Sequence, residues 1–433
     1  MVGAKNISLL RECSCSFKIQ NKNQIGALFS IPHSLFCFLS MRIAFIGQKG
    51  IPARSGGVEK YVEQIAVRLA EKGHDVFVYV RPQYTDPSLL AWKGVHLIHL
   101  PSIPTKHLDA ISHTFFATVH ALFGRYDIIH YQAVGPSLLS FIPAWLLRHA
   151  KVISTFHCRD YFHKKWGWIA RKTLRLGERV ACRIPRRTIV VSRELREYVM
   201  RMYRRHADLI PNGANVLREK PIAESLSGFG LRENRYILSV GRLVGHKGVH
   251  YLVKAFMELE DTNKVPNNTK LVIVGTHANT KEYESYLRLM AKGRENILFL
   301  GERFGRELEE LFSYAALFVQ PSESEGMSIA LLEAMAHGLP TIASDIRINR
   351  ETISSAGILF QNKNVSDLRE KMAFLLNAPE EAASLGARAK KRVADEYSWD
   401  AIAEKTLRLY ESVVFPRKSI SRVPRRASSL ALR

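Results

Sequence analysis

The chain has 433 residues, 46% apolar and 24% charged, which fits a soluble globular class with cores for two or three ordinary domains. Its five cysteines (Cys13, Cys15, Cys37, Cys158, Cys182) exclude a disulfide framework and offer no metal spacing beyond the close pair Cys13/Cys15, so a reducing compartment is expected. A formal net charge of +23 calls for an anionic partner: nucleic acid, anionic lipid or a phosphate-bearing substrate.

Residues 1–40 hold no clear element. Their apolar run "IGALFSIPHSLFCFLSM" is interrupted by polar residues, a proline and a histidine, so it falls short of the roughly eighteen apolar residues a spanning helix requires. It also lacks the small-residue cleavage pattern of a signal peptide. The segment reads as lying upstream of the true start or as a loose appendage, with a weak membrane-contacting segment as the alternative.

From Met41 apolar strands alternate with amphipathic helices. "RIAFIG" is a strand, then a glycine-containing turn, then the helix "GVEKYVEQIAVRLAEKG". The strands "DVFVYV", "VHLIHL", "DIIHYQ", "KVISTF", "RTIVVS" and "DLIPN" follow, with helical runs between most of them. A polar stretch near 215–234 reads as a linker. A second series then begins with "YILSVG", "KLVIVG", "ILFLG", "LFVQP", "PTIAS" and "GILF", and the helix "WDAIAEKTLRLYESVV" comes last. The pattern predicts an α/β chain of two doubly wound, Rossmann-like domains. The expected divisions are a 1–40 extension, a first domain over 41–218, a second over 219–398, a helix over 399–415 packing back toward the first domain, and a basic tail over 416–433. Ligands of such sheets lie at the carboxyl ends of the strands, so two domains would hold them in a cleft between facing edges.

Tyr161 to Arg187 carries nine Lys or Arg against one acid, interleaved with Trp166, Trp168, Ile169, Leu174, Leu176 and Val180. This resembles a basic amphipathic helix able to lie on a membrane surface; a solvated helix face over a core is the other reading. The tail has six cationic residues and no acid, and reads as disordered.

Candidate chemistry gathers after strand ends. Gly56 and Gly57 follow the first strand and precede a helix, where another group can approach the backbone beside unpaired N–H donors. The spacing is not that of a dinucleotide fingerprint, and a nicotinamide enzyme is not expected. In "SVGRLVGHKG", Gly241, Arg242 and Lys247 follow a strand, with a guanidinium and an ammonium suited to a diphosphate. In "SESEGMSIALLEAMAHG", Ser328 reads as a helix N-cap and Gly338 as its C-terminal glycine. Glu325 then precedes the helix and Glu333 lies ~7 Å along it. The amides of Gly326, Met327 and Ser328 would receive phosphate oxygens at the helix N-terminus, with Glu333 accepting a ribose diol and Glu325 binding hydroxyls beyond the phosphates. His157, closing "KVISTFH", reads by itself as a satisfied strand-end histidine.

With those motifs in place, "GRLVGHKG", "VIVG", "FLG" and "PSESEGMSIALLEAMAHGLPTIAS" resemble the donor domain of retaining glycosyltransferases of the GT-B fold, family 4. "IGQKGIPARSGGVEKYVEQIAVRLAEKGHDV" is similar to the start of their acceptor domain. The Gly-Ile-Pro and Gly-Gly of that loop, with "TFHCRDYFHKKWG", resemble a subgroup linked to surface polysaccharide assembly. The likeness covers roughly 41–414. It implies that Arg242 and Lys247 bind the donor diphosphate and neutralise the leaving group, Glu325 the transferred sugar and Glu333 the ribose. Gly57 would approach the donor from the first domain, and His157 would contact the sugar near the reacting carbon. Cys158-Arg159 departs from the small or apolar pair common there, leaving sugar and acceptor preference open; Asp160 would help shape the loop.

The expected reaction is retaining transfer of a hexose or deoxyhexose from a nucleotide-diphosphate sugar to a glycan or lipid-linked acceptor, at the cytoplasmic face of a membrane. No cofactor is expected and no metal, since no Asp-x-Asp occurs in the chain and two cations with a helix dipole could replace one. Epimerisation of a nucleotide sugar is the alternative on the same fold. A catalytically dead sugar-binding relative is a further one. A nucleic-acid-binding protein lacks a recognition module and interleaved aromatics, so no nucleic acid partner is expected.

Overall fold

A computed structural model describes residues 40–54, 56–105, 108–159, 167–262, 264–277 and 281–416. The cysteines Cys13, Cys15 and Cys37, Asp160, the first residues of the basic cluster and nearly all of the basic tail lie outside the described residues.

The first series runs β1 (Arg42–Ile46), α1 (Gly57–Glu71), β2 (Asp75–Val80), β3 (Ala91–Trp92), β4 (Val95–His99), α2 (Asp109–Ala121), β5 (Ile128–Gln132), α3 (Val134–Ser137), α4 (Phe141–Leu146), β6 (Lys151–Phe156), α5 (Trp168–Arg183), β7 (Arg187–Val190), α6 (Arg193–Tyr203) and β8 (Asp208–Leu209). These strands form an 8-stranded sheet in the order β3-β4-β2-β1-β5-β6-β7-β8. All neighbours are parallel except the short β3, which pairs antiparallel with β4. β5 is buried along its whole length and β6 nearly so, as expected of parallel strands covered on both faces.

The second series runs β9 (Tyr236–Val240), α7 (Val249–Asp261), β10 (Lys270–Val274), α8 (Lys281–Met290), β11 (Ile297–Gly301), α9 (Gly305–Ser313), β12 (Leu317–Gln320), α10 (Ile329–Ala336), β13 (Thr341–Ser344), α11 (Arg347–Ile353), β14 (Ile358–Phe360), α12 (Val365–Asn377) and α13 (Pro379–Glu396). Its 6-stranded sheet has the order β11-β10-β9-β12-β13-β14, all parallel. The chain direction across each sheet reverses once, between β1 and β5 in the first and between β9 and β12 in the second. These are the switch points where open α/β sheets leave a crevice.

The helix α14 (Trp399–Val414) follows. It lies against α1, with Trp399 edge-on to Tyr61 at 6.1 Å, and the Tyr410 hydroxyl pairs with His130 Nδ1 at 2.6 Å beneath the first sheet. The two chain crossings meet side by side, Ala214 N–H donating to the Tyr397 carbonyl at 2.9 Å. A Cβ on Gly213 would sit 2.8 Å from that same carbonyl and 2.9 Å from the Trp399 ring, so this approach needs glycine. Arg68 of α1 ties both crossings, bonding Asp400 at 2.6 Å and Asn215 at 2.9 Å. Among the described residues, no helix is long and apolar enough to cross a membrane.

Candidate active site

Ser328 begins α10 by accepting a hydrogen bond from Leu331 N–H at 3.3 Å. Gly338, at φ +74°, ends the helix in the left-handed region. The N–H groups of Gly326, Met327 and Ser328 donate to no other group among the described residues. They stand at a helix N-terminus, where unpaired donors and the helix dipole favour an anion.

The loop after β9 reaches this helix because the chain passes close behind β12. Gly248 has φ +68°, and a Cβ there would stand 2.0 Å from the Pro321 carbonyl. That approach brings Lys247 Nζ to Glu325 Oε1 at 2.5 Å. Glu325 also accepts from Gln320 Nε2 and Ser322 Oγ, both at 2.7 Å. Gln320 accepts in turn from the Ser328 hydroxyl at 3.0 Å, so one amide ties the carboxylate to the helix cap. Burial alone pushes the Glu325 carboxyl up, but the Lys247 ammonium and the Ser322 hydroxyl outweigh it and hold the group below its ordinary range. Gly241, Arg242, Lys247, Gln320 and Ser322 line one pocket at this switch point. Arg242 is exposed there and has no ion pair or side-chain hydrogen bond among the described residues.

The first domain meets α10. Gly57 begins α1 opposite Ile329, whose Cδ1 would lie 3.7 Å from a Cβ at that position. Gly56, at φ +100°, admits the Glu59 carboxylate where a Cβ would stand, and Glu59 accepts from Lys49 N–H at 3.1 Å. One turn on, Lys60 Nζ approaches Glu333 Oε1 at 3.6 Å. Burial raises the Glu333 carboxyl above its ordinary value, and Lys60 opposes that shift.

His157 stands at the end of β6 with its carbonyl against Gly326, where a Cβ would come within 2.0 Å. Its Nε2 lies 3.0 Å from Gln132 Oε1. An amide oxygen only accepts, so Nε2 carries the proton and Nδ1 the lone pair. The ring meets Tyr61 edge-on at 5.1 Å, and burial lowers its pKa to about 3. At neutral pH this imidazole is neutral: it can hydrogen-bond a hydroxyl but supplies no cation.

Of the residues named from sequence, the structure brings Lys247 to Glu325, Gly57 to Ile329 and the His157 carbonyl to Gly326 at the start of α10, sets Glu333 further along that helix, and places Gly241 and Arg242 in the pocket that Lys247 also lines. Several residues of the same arrangement were not foreseen. Lys60 is one polar position on an amphipathic helix, without a sequence signal. Asn212, whose Nδ2 donates to the Met327 carbonyl at 2.9 Å, lies in the first crossing. Gln132 and Gln320 did carry a signal: each is a polar residue closing a buried parallel strand, the same mark that singled out His157. Among the described residues, the basic cluster forms a helix from Trp168 to Arg183, with Gly177, Glu178, Ala181 and Cys182 packed inward and Trp168, Ile169 and Leu176 exposed.

Two doubly wound sheets, parallel but for the short β3, with candidate residues from both gathered near α10, define two Rossmann-like domains. Residues 55–218 match the family model "Glycosyltransferase Family 4" and residues 228–392 the model "Glycosyl transferases group 1". The chain is therefore a GT-B glycosyltransferase composed of a family 4 domain followed by a group 1 domain. It is 26% identical over 393 residues to an uncharacterized glycosyltransferase of Methanocaldococcus jannaschii, covering 86% of this chain and 98% of that one. It is 24% identical over 391 residues to the GDP-mannose-dependent monoacylated alpha-(1-6)-phosphatidylinositol monomannoside mannosyltransferase of Corynebacterium glutamicum, covering 83% and 96%. Among solved structures, the sucrose-phosphate synthase of Thermosynechococcus elongatus superposes with a TM-score of 0.71 at 25% identity, covering 86% of this chain and 99% of that one.

Proposed function

We propose that the enzyme transfers a hexose or deoxyhexose, with retention and without a metal ion, from a nucleotide-diphosphate sugar to a glycan or lipid-linked acceptor of surface polysaccharide assembly. The observation that carries this reading is the arrangement at the second switch point: Arg242 and Lys247 line one pocket, and Lys247 pairs with Glu325, which directly precedes the three unpartnered amides at the start of α10. Lys247 and Arg242 would take the diphosphate, with the amides of Gly326, Met327 and Ser328 accepting its oxygens. Entry of phosphate draws Lys247 from Glu325 and frees that carboxylate to hold sugar hydroxyls. Glu333 would accept the ribose diol in place of Lys60. Gly57 and His157 would close over the sugar, with the neutral ring bonding a hydroxyl near the reacting carbon.

The acceptor oxygen attacks the anomeric carbon on the face the diphosphate leaves. As the carbon–oxygen bond to phosphate breaks, the acceptor proton passes to the departing phosphate oxygen. Two cations and the α10 dipole stabilise the charge that develops there. The lipid-linked acceptor and a site of action at the cytoplasmic membrane face rest on the cationic α5, and the mannosyltransferase relative is named for a phosphatidylinositol-linked acceptor.

The test is incubation of the enzyme with isotopically labelled nucleotide sugars and lipid-linked or free glycan acceptors, with a chelator present. Nucleotide release that depends on acceptor, with the donor's anomeric configuration kept in the product, is expected. An altered nucleotide sugar formed without acceptor would replace transfer by epimerisation. An inverted product, or release only with added divalent ion, contradicts the mechanism.

A further inference from the structure

The first sheet carries α2, α3, α4 and α5 side by side on one face, away from α1 and α14. The outer side of this layer is unusually apolar. Phe115 of α2, Phe123 just beyond it, Trp145 and Leu146 of α4, and Trp168 and Ile169 of α5 are all exposed; Phe123 is 82%, Trp145 70% and Trp168 68% accessible. Exposed apolar patches on monomeric proteins mark interaction surfaces, and large apolar side chains are exposed on each of α2, α4 and α5. The inner sides are accounted for: a Cβ on Gly177 would stand 2.3 Å from the Val134 carbonyl, and one on Gly135 would touch Leu174. The outward aromatics are therefore surplus to the core.

The charge on this face has one sign. α5 presents Lys172, Arg175 and Arg179 on the same side as Trp168, with Lys172 Nζ 4.8 Å from the Trp168 ring. Asp109, which opens α2, accepts from Arg81, Gln83 and Ser102, and between residues 110 and 187 the described carboxylates are Asp127 and Glu178. Asp127 and Glu178 are also engaged: Asp127 accepts from Arg42 N–H at 2.8 Å, and Glu178 is buried and accepts from the Tyr198 and Tyr203 hydroxyls. A second copy meeting this face about a two-fold axis would oppose cation to cation.

We propose that the outer face of α2, α4 and α5 docks on an anionic bilayer, its aromatic side chains entering the headgroup layer and the α5 cations meeting lipid phosphates. This deepens the membrane contact contained in the proposed function. It extends that contact from one basic helix to a three-helix surface. Crossover helices run antiparallel to their strands, so the Trp168 end of α5 lies at the sheet edge from which His157 emerges. Docking by this face sets the cleft beside the lipid surface, where an acceptor held by its lipid can enter.

The test is co-sedimentation of the full chain with vesicles of phosphatidylcholine alone or mixed with phosphatidylglycerol. Wild type is expected on the mixed vesicles and much less on the neutral ones. Lys172→Glu/Arg179→Glu should weaken binding at least about 25-fold, about fivefold for each cation removed from the surface. Phe123→Glu/Trp145→Glu/Trp168→Glu should lose vesicle binding while keeping transfer to a water-soluble acceptor. In wild type, bromolipids should quench tryptophan fluorescence, a readout that needs no variant. Equal binding of the triple variant and wild type, indifference of wild type to lipid charge, or a wild-type dimer that the triple variant dissolves would overturn the proposal. Nucleotide-sugar stabilisation of the wild type is read separately: its absence with vesicle binding intact removes the donor-site reading and leaves the docking face standing.

Discussion

Lys247→Ala isolates the electrostatics of the site. It leaves Glu325, whose side chain is 9% exposed, with two neutral donors, Gln320 and Ser322. Removing one partner of a buried ion pair costs about 3–5 kcal/mol. The carboxyl has an escape, because it can take up a proton. From an ordinary value near 4.3, that costs about 3.7 kcal/mol at pH 7, at about 1.36 kcal/mol per pH unit. The loss is then capped near ~4 kcal/mol at pH 7 and falls to about 1 kcal/mol at pH 5. The wild type behaves in the opposite sense: its depressed carboxyl contributes stability above the unfolded value, and loses it as pH falls through the folded one. Urea unfolding at both pH values, with amide exchange read over residues 317–336, measures the difference for this segment rather than for a two-domain average. Adding Glu325→Gln should recover most of the loss at pH 7. A penalty below about 1 kcal/mol at pH 7, an equal penalty at both pH values, or no recovery with Gln would refute the reasoning.

Other substitutions probe the contacts between the two sheets. Gly326→Ala places a Cβ 2.0 Å from the His157 carbonyl, a backbone atom that cannot swing away; transfer should fall ~100-fold through misplacement, and urea unfolding should show a loss of about 1–3 kcal/mol from the overpacking. Gln132→Leu removes the acceptor for His157 Nε2–H and should cost about 1–3 kcal/mol in urea unfolding. Gln132→Glu keeps the acceptor and should raise the His157 pKa from about 3, as read by nitrogen NMR. His130 and His157 are both held neutral, burial lowering each to about 3. Their contribution is complete above the unfolded value near 6.5 and declines below it by up to about 1.36 kcal/mol per pH unit for each ring. Urea titrations between pH 7 and 4 should show that slope and a flatter one in His130→Asn; a level wild-type profile contradicts it.

Much of the architecture was legible because parallel strands buried on both faces read as short apolar runs: "YILSV" and "KLVIV" fall within a residue of where they were placed. Ser328 and Gly338 marked the ends of α10 for local reasons of capping and left-handed backbone. β3 was missed because two residues carry no alternation. The contacts of Lys60 with Glu333 and Asn212 with Met327 join positions far apart in sequence, and only the docking of the sheets creates them. The exposed side of α2 was also hidden, since "HTFFATVHALF" is as apolar as a buried helix would be.

The measurement closest to the central claim is thermal unfolding of wild type, Arg242→Ala and Glu333→Ala with a panel of nucleotide sugars in the presence of chelator. The matching donor at about 100 times its Kd should stabilise the wild type by about 2.7 kcal/mol, and neither variant, while all three unfold alike without ligand. Equal stabilisation of both variants and wild type would place the donor elsewhere and contradict the account.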